Sequence, residues 1–228
     1  MAETLQDPDT TLRLAEIQPD SLSMRVFESI QTAIKDKSLP PGRRVTEADL
    51  AAQLNVSKTP VREAFIKMRQ IGLIEPDGRR AWRIVRLSRK TIDDACDVRE
   101  ALEVSAARAA AERATPEQRA EITDAAERSL AAAHAGNKDL FRRWDDRFHR
   151  AIADATDNTR LTGLISDTLL LIATLRLRDL PHKLASIECA QAHVAIAATI
   201  ASGSVNAAGE AMRMHVEQVK EYTFSDVE

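Results

Sequence analysis

Four residues of this chain have the types and the spacing that could bind a metal ion. Asp145 and His149 lie four residues apart in the segment WDDRFHRAI (144–152), where apolar residues recur at helical spacing, so both should project from one buried helix face. His193 and His215 show the same kind of apolar spacing in two later segments. A carboxylate on a buried face must be paired or must coordinate a cation. Two interpretations stay open: separate histidines satisfied within a core, or one divalent metal site inside a helical bundle.

The chain beyond residue 90 should supply the helices that position these four residues. Apolar residues recur there every three or four positions, and Gly, Pro or Asn interrupts the pattern between segments. The predicted helices span 91–113, 116–135, 138–156, 159–179, 183–202 and 204–224. Helices of this length with short connections predict an antiparallel all-α bundle.

A second stretch with chemical potential is Asn55–Ile74. Ser57 is a favourable helix N-cap, Pro60 suits the first helical turn, and Gly72 is a natural residue to end the helix. The outer face of this helix would carry hydroxyl and basic side chains, namely Ser57, Lys58, Thr59, Arg62 and Arg69. Alone, such a helix could read DNA or could be an ordinary solvated surface helix.

The neighbours of this helix predict a helix-turn-helix followed by a wing. A helix over about 21–37, an extended piece at Arg43–Val45 and a short helix capped by Thr46 come before it. After it, strands near Leu73–Glu75 and Trp82–Leu87 flank a Pro-Asp-Gly turn and predict a β-hairpin. Arginines on such a hairpin could lie along DNA phosphates while the preceding helix enters the major groove.

The charge distribution favours DNA binding for the N-terminal part only. The whole chain has a net charge of −3, which by itself argues against a nucleic-acid partner. Within 58–90, however, 10 Lys and Arg stand against 3 Asp and Glu, a balance of +7, whereas 91–228 holds 16 against 23, a balance of −7. A basic block on an otherwise acidic chain is typical of a small nucleic-acid-binding module.

Composition and termini bound the class of protein. Cys96 and Cys189 are the only cysteines and form no CxxC motif, which indicates a reducing compartment without a disulfide framework or zinc ribbon. No apolar run reaches the roughly 18 residues of a membrane span, and the polar, acidic N-terminus is not a secretory signal, so we expect a cytoplasmic protein.

The expected fold class is mainly α. A flexible arm (1–20) should precede a winged helix-turn-helix with a small β-hairpin wing (21–88), and an all-α helical bundle (91–225) should follow a linker at Ser88–Lys90.

The segment LPPGRRVTEADLAAQLNVSKTPVREAFIKMRQIGLIE (39–75) resembles the winged-helix domain of GntR-family transcription regulators. That family carries Ser-Arg-Thr-Pro-Val-Arg-Glu-Ala where this chain has SKTPVREA at Ser57–Ala64. Val98–Glu103 is similar to the first-helix motif of the FCD-type ligand-binding domain of the FadR subgroup. The resemblance implies a DNA-binding regulator and not an enzyme.

The resemblance implies DNA contacts from the third helix, from the segment before the second helix and from the wing. These residues are Arg43, Arg44, Ser57, Lys58, Thr59, Arg62, Arg79 and Arg80. Arg62 could fork onto a guanine edge, with Glu63 expected to orient it. The chain departs from the family where Ala81 replaces a usual wing glycine and where Ala48 or Asp49 occupies the place of a common arginine.

The resemblance also implies a metal in the helical domain. The metal-binding branch of this domain carries Asp-x-x-x-His, a later His and another His 22 residues on, as do Asp145, His149, His193 and His215 here. One Asp and three His suit Zn, Ni or Mn as a divalent ion. Such a site keeps a net charge of +1 and open positions that a small carboxylate effector could fill. Effector contacts are expected from Arg99, Arg176 and Arg178.

The combined prediction is a ligand-responsive repressor that binds a two-fold symmetric DNA operator as a homodimer. A metal and a small organic acid in the helical domain would modulate operator binding. Two alternatives stay open: a regulator for which the metal itself is the effector, and a helical-bundle metallohydrolase.

Overall fold

The computed structural model describes residues 22–86, 88–175 and 183–224. The expected arm at 1–20 and the proposed effector residues Arg176 and Arg178 lie outside the described residues. Within them the helices are α1 (Leu22–Lys35), α2 (Glu47–Gln53), α3 (Lys58–Ile71), α4 (Arg89–Arg113), α5 (Pro116–His134), α6 (Lys138–Asp154), α7 (Thr159–Leu175), α8 (Lys183–Ala201) and α9 (Val205–Phe224). The strands are β1 (Arg44–Val45), β2 (Ile74–Pro76) and β3 (Trp82–Ile84).

The first three helices and the strands form the predicted winged helix-turn-helix. The Thr46 side chain accepts a hydrogen bond from the Asp49 N–H and so caps α2. Ser57 precedes α3 with extended backbone, although its hydroxyl makes no capping hydrogen bond. Gly72 ends α3 with φ at 90°, in the left-handed region that glycine adopts without steric cost. Phe65 and other apolar residues of α3 are fully buried, which leaves its polar face outward.

The wing has three strands rather than the predicted two. Strand order is β1-β3-β2, with both pairs antiparallel and with Arg44 opposite Arg83. The extended conformation of β1 was predicted, but its pairing depends on a partner about forty residues away and leaves no local sequence signal.

The predicted linker at Ser88–Lys90 is wrong. Ser88 is the N-cap of α4, its side chain accepts a hydrogen bond from the Thr91 N–H, and the helix begins at Arg89. The Thr91 hydroxyl also donates to the Arg86 carbonyl oxygen at 3.1 Å. Polar residues that looked like a flexible connection therefore cap a helix and tie its first turn to the end of the wing.

Helices α4 to α9 form an all-helical unit whose core is built from small and branched side chains. Alanines of α4 and α5, including Ala107, Ala110 and Ala126, are buried and allow close approach of neighbouring helices. Larger residues such as Phe148 and Met212 fill the remaining core. Among the described helices, none is both long enough and apolar enough to cross a membrane.

Helix α7 also contacts the winged helix. Leu170 and Leu171 pack against the core of the N-terminal unit, and Leu171 is the nearest side chain to Gly72 at the end of α3. The Gln31 side-chain amide of α1 donates to the Thr174 hydroxyl of α7 at 3.1 Å. The helical unit therefore contacts both α1 and the end of the predicted reading helix.

Candidate functional site

The three predicted histidine ligands meet in the core of the helical unit. His149 comes from α6, His193 from α8 and His215 from α9, and at most 1% of each residue is exposed. One ring nitrogen from each lies within 4.8 Å of the others. The Nε2 atoms of His149 and His215 are 3.4 Å apart. Three imidazoles from three helices thus converge on one point.

Asp145 stands at the edge of this cluster and not within it. Its side chain is 29% exposed, and its Oδ1 lies 3.5 Å from Nε2 of His193. Asp145 was expected inside the buried stripe of α6 but lies at its border, as does the half-buried Trp144. The donor atoms of Asp145, His193 and Cys189 form a second group within 4.8 Å. His193 is the residue shared by the two groups.

Arg99 and Glu103 of α4 determine which nitrogen of His149 carries its proton. Arg99 Nη2 lies 2.9 Å from His149 Nε2, and Glu103 Oε2 lies 2.5 Å from His149 Nδ1. Arginine has donors only, so Nε2 must be the acceptor and the proton must be on Nδ1, facing the carboxylate. His149 therefore carries a lone pair on Nε2, the nitrogen that faces His215.

Ser129 of α5 orients His193 in the same way. Its hydroxyl donates to the Ala126 carbonyl oxygen at 2.8 Å and lies 3.1 Å from His193 Nδ1. Because the hydroxyl proton is already used, the oxygen accepts from Nδ1–H, and the lone pair of His193 lies on Nε2. Burial lowers the pKa of His193 to about 3, so the ring is neutral and able to bind a cation at neutral pH.

A buried ion pair supports this arrangement. Arg99 Nε lies 2.5 Å from Glu103 Oε1, and both side chains are almost completely buried. Burial alone would raise the pKa of Glu103, but the guanidinium of Arg99 beside it lowers this pKa below its usual value. Glu103 is consequently ionised and balances the guanidinium that lies against the histidine cluster.

Three residues of this site were missed in the sequence. Glu103 and Cys189 each lie four residues from a residue of the cluster on the same helix, Arg99 and His193 respectively, and that spacing could have revealed them. Ser129 left no such signal, because it comes from a different helix and contacts His193 only through tertiary packing. Of the predicted effector residues in the described part of the chain, Arg99 does reach the cluster.

The predicted DNA-contact residues are exposed on the winged helix. This holds for Arg43, Arg44, Ser57, Lys58, Thr59, Arg62, Arg79 and Arg80. The Arg62 guanidinium donates from Nε and Nη2 to Glu47 at 3.1 and 2.9 Å. The carboxylate that orients Arg62 is therefore Glu47, at the start of α2, and not Glu63 as expected. This hydrogen bonding to Glu47 raises the pKa of Arg62.

Asp77 organises the base of the wing. Its Oδ2 lies 2.8 Å from Arg83 Nη2 and 3.2 Å from Arg44 Nε, so one carboxylate holds arginines of two adjacent strands. Arg79 and Arg80 follow at the turn, beyond this pairing and exposed to solvent. The wing tip is thus basic, and at its base one carboxylate offsets only part of the charge of two arginines.

Comparison with known families identifies both units. Residues 22–84 match the family described as bacterial regulatory proteins, gntR family, and residues 94–218 match the FCD domain. The probable D-xylose utilization operon transcriptional repressor of Paenarthrobacter nicotinovorans is 30% identical over 202 residues, 86% of either chain. The chain belongs to the GntR family of bacterial transcriptional regulators. This GntR-family protein is a DNA-binding regulator with an FCD ligand-binding domain, and it is not an enzyme.

Other relatives agree with this assignment. The HTH-type transcriptional repressor RspR of Escherichia coli is 24% identical over 200 residues, 88% of either chain. The structure of E. coli McbR/YncC superposes with a TM-score of 0.74 at 20% identity, covering 91% of this chain and 99% of that one. A putative GntR regulator from Rhodococcus superposes with a TM-score of 0.64. The structural likeness establishes the winged-helix and all-helical fold.

Proposed function

We propose that this GntR-family protein is a metal-dependent repressor that releases or reshapes its operator contacts when a small organic acid binds in the helical domain. The observation that carries the proposal is the convergence of three buried imidazoles behind an exposed reading helix. Two relatives are named as repressors, which supports repression here.

Operator reading is assigned to α3. Arg62 uses its Nε–H and one Nη2–H to hold Glu47, which leaves the Nη1–H groups and the second Nη2–H on the outer edge as a fork for a base or phosphate. Lys58 and Thr59 lie in the first turn of α3, where backbone N–H groups and the helix dipole favour a phosphate. One winged helix reads only a few base pairs, so we propose a homodimer on a two-fold symmetric operator.

The proposed metal ligands are Asp145, His149, His193 and His215, and the residues fit a divalent ion. Two ligand nitrogens at about 2.0–2.1 Å from one zinc ion, at an angle near 110° around it, would be about 3.3 Å apart. Two observed distances are close to that spacing. The Nε2 atoms of His149 and His215 are 3.4 Å apart. His193 Nε2 lies 3.5 Å from Asp145 Oδ1. Carboxylate and hydroxyl partners on Nδ1, as for His149 and His193, are the usual outer support of metal-bound histidines.

The charges favour an anionic effector. A bound divalent metal would supply a Lewis-acidic centre with open positions for carboxylate oxygens. The charges of Arg99 and Glu103 cancel each other. With Asp145 as its one anionic ligand, the metal site keeps a net charge of +1, which a monocarboxylate would neutralise. Arg99 now donates to the Nε2 lone pair of His149 that a metal would need. We therefore propose that the guanidinium turns its Nη2 edge from His149 towards the effector carboxylate while Nε stays on Glu103.

Helix α7 is the proposed connection from this site to the reading helix. Arg150 of α6, one residue after His149, donates to the Ser166 hydroxyl of α7 at 2.8 Å. Four and five residues later on α7, Leu170 and Leu171 pack against the winged helix. A shift of α6 on effector binding would therefore reach the end of α3. By linkage, operator DNA must weaken effector binding by the factor by which effector weakens DNA binding.

The DNA-reading assignment is tested with Arg62→Ala. Duplexes selected from a random pool by the wild-type protein serve as the operator, and affinity is measured by fluorescence anisotropy. Loss of a bidentate base contact should weaken binding on the order of 10- to 100-fold per half-site. Arg69→Ala, which removes an exposed arginine from the last turn of the same helix, is the matched control. Equal affinity of the Arg62→Ala and Arg69→Ala variants would refute the assignment.

The metal and effector assignments are tested by thermal unfolding with Zn²⁺, Ni²⁺ or Mn²⁺, each alone and with a panel of small carboxylates and sugar acids. A ligand at 100 times its Kd should add about 2.7 kcal/mol of stability. His193→Ala should abolish the metal response, whereas His134→Ala, which changes an exposed histidine at the end of α5, should retain it. Operator binding that follows metal concentration without any acid would instead make the metal the effector.

A further inference from the structure

We infer that Cys189 is an additional metal ligand, and that its thiolate occupies the coordination position that a carboxylate effector takes over. This inference rests on the metal site of the proposed function and extends its ligand set. It gives a role to a buried thiol that the four-residue ligand pattern leaves out. It also predicts a preference for a thiophilic ion such as Zn²⁺ over Mn²⁺, because thiolate is a soft ligand.

The distances around Cys189 are those of ligands that share one ion. Its Sγ lies 3.7 Å from His193 Nε2 and 3.9 Å from Asp145 Oδ1. With Zn–S near 2.3 Å and Zn–N near 2.0–2.1 Å, a ligand sulfur and a ligand nitrogen at an angle near 110° around the ion would be about 3.6 Å apart. The 3.5 Å from His193 Nε2 to Asp145 completes a triangle of donors of the required size. Small rotations of these side chains would bring all three to one ion.

Helix geometry gives Cys189 the same relation to the cluster that Asp145 has. On α6, Asp145 precedes His149 by four residues, and on α8, Cys189 precedes His193 by four. Residues at this spacing lie one above the other on a single helix face. The two helices therefore present parallel pairs of donors, and His193 joins both groups of converging atoms. Cys189 is buried, with 2% of its surface exposed, so this thiol faces the site and not solvent.

The charge balance supports a thiolate ligand. Arg99 and Glu103 form a neutral pair at the histidine cluster. A divalent metal with Asp145 as its single anionic ligand would leave +1 in a buried region, which is costly without a counter-charge. A Cys189 thiolate, its proton released to solvent when the metal enters, makes the sum zero. When an organic acid anion replaces the thiolate on the metal, the Cys189 sulfur takes up a proton from solvent. Anion and proton therefore enter the core together, and the sum stays at zero.

Cobalt(II) binding to the full-length protein separates this inference from the metal site itself. Visible ligand-field bands report that Co²⁺ is bound, and a near-ultraviolet charge-transfer band appears only when a thiolate coordinates it. We expect both signals in the wild-type protein. Cys189→Ser should lose the charge-transfer band and keep the ligand-field bands. Cys96→Ser changes the other buried cysteine, which belongs to neither donor group among the described residues, and should keep both signals.

The outcomes are distinct. Ligand-field bands without a charge-transfer band in the wild-type protein would overturn the Cys189 assignment and leave the metal site standing. Absence of both signals would remove the metal site, and the Cys189 ligand with it. X-ray absorption of the zinc-loaded wild-type protein needs no variant, so it stands even if Cys189→Ser fails to fold. A sulfur neighbour at about 2.3 Å would support the inference, and a shell of nitrogen and oxygen only would refute it.

Discussion

Replacing Glu103 by glutamine should destabilise the metal-free protein strongly at neutral pH. The amide keeps the shape of the carboxylate but removes the charge that balances Arg99, from which Glu103 is 2.5 Å away in a fully buried pair. The charge of Arg99 lowers the pKa of Glu103 on folding, so the ionised carboxylate contributes stability at neutral pH. Removing one partner of a buried ion pair typically costs about 3–5 kcal/mol.

The destabilisation should also depend on pH with a defined sign. Because the folded pKa of Glu103 lies below the unfolded one, its ionisation contributes full stability above pH 4.5, and this contribution is lost as pH falls towards about 2. The difference in the free energy of unfolding between wild type and Glu103→Gln should therefore fall from about 3 kcal/mol at pH 7 to about 1 kcal/mol near pH 3.

Urea unfolding after removal of metal with a chelator, followed by far-ultraviolet circular dichroism, measures this difference. Asp124→Asn is the matched control, because Asp124 and Arg128 form an ion pair at the same four-residue spacing with both side chains more than half exposed. That change should cost less than about 1 kcal/mol. A Glu103→Gln cost as small as that of the control, or one that does not change with pH, would refute the buried-pair reasoning.

Two further predictions concern the support of the site and the end of the reading helix. Ser129→Ala should weaken Zn²⁺ binding about 10- to 100-fold in a chelator competition, because His193 Nδ1 loses its partner; unchanged affinity would show that the hydroxyl does not orient the ring. Gly72→Ala should lower the free energy of unfolding in urea by about 1–2 kcal/mol, because φ is 90° at this position. A steric clash would not contribute, since the added methyl group would lie 3.6 Å from the Leu171 side chain, an ordinary contact distance. Gly163→Ala, in α7 with open space around it, should stabilise by about 0.4–1 kcal/mol, and a similar result for both alanines would contradict the backbone explanation.

Helix positions and the histidine cluster could be predicted because both follow local periodicity. Apolar spacing located the six helices of the C-terminal unit to within a few residues at the ends that the structure describes. The same spacing placed His149, His193 and His215 on buried faces, where they are found. A bundle directs its buried faces to one core, so inward polar residues on several helices tend to meet.

The features that were not predicted all depend on contacts between distant segments. The pairing of β1 with β3, the hydroxyl of Ser129 on His193 and the hold of Glu47 on Arg62 each join residues that share no local pattern. Ser88 was misjudged for another reason, since a serine between polar residues fits a linker as well as a helix cap.

The direct start of α4 after the wing has a mechanical consequence. Its 25 residues form a rod about 37 Å long, and Arg99 lies ten residues, or about 15 Å, from its first residue. A tilt of about 5° pivoting at Arg99 would displace the wing end of this lever by about 1.3 Å, which is within the 1–2 Å range of helix shifts in allosteric proteins. Because the Thr91 hydroxyl of this helix donates to the Arg86 carbonyl oxygen, a rearrangement around Glu103 would reach the end of the wing through that hydrogen bond.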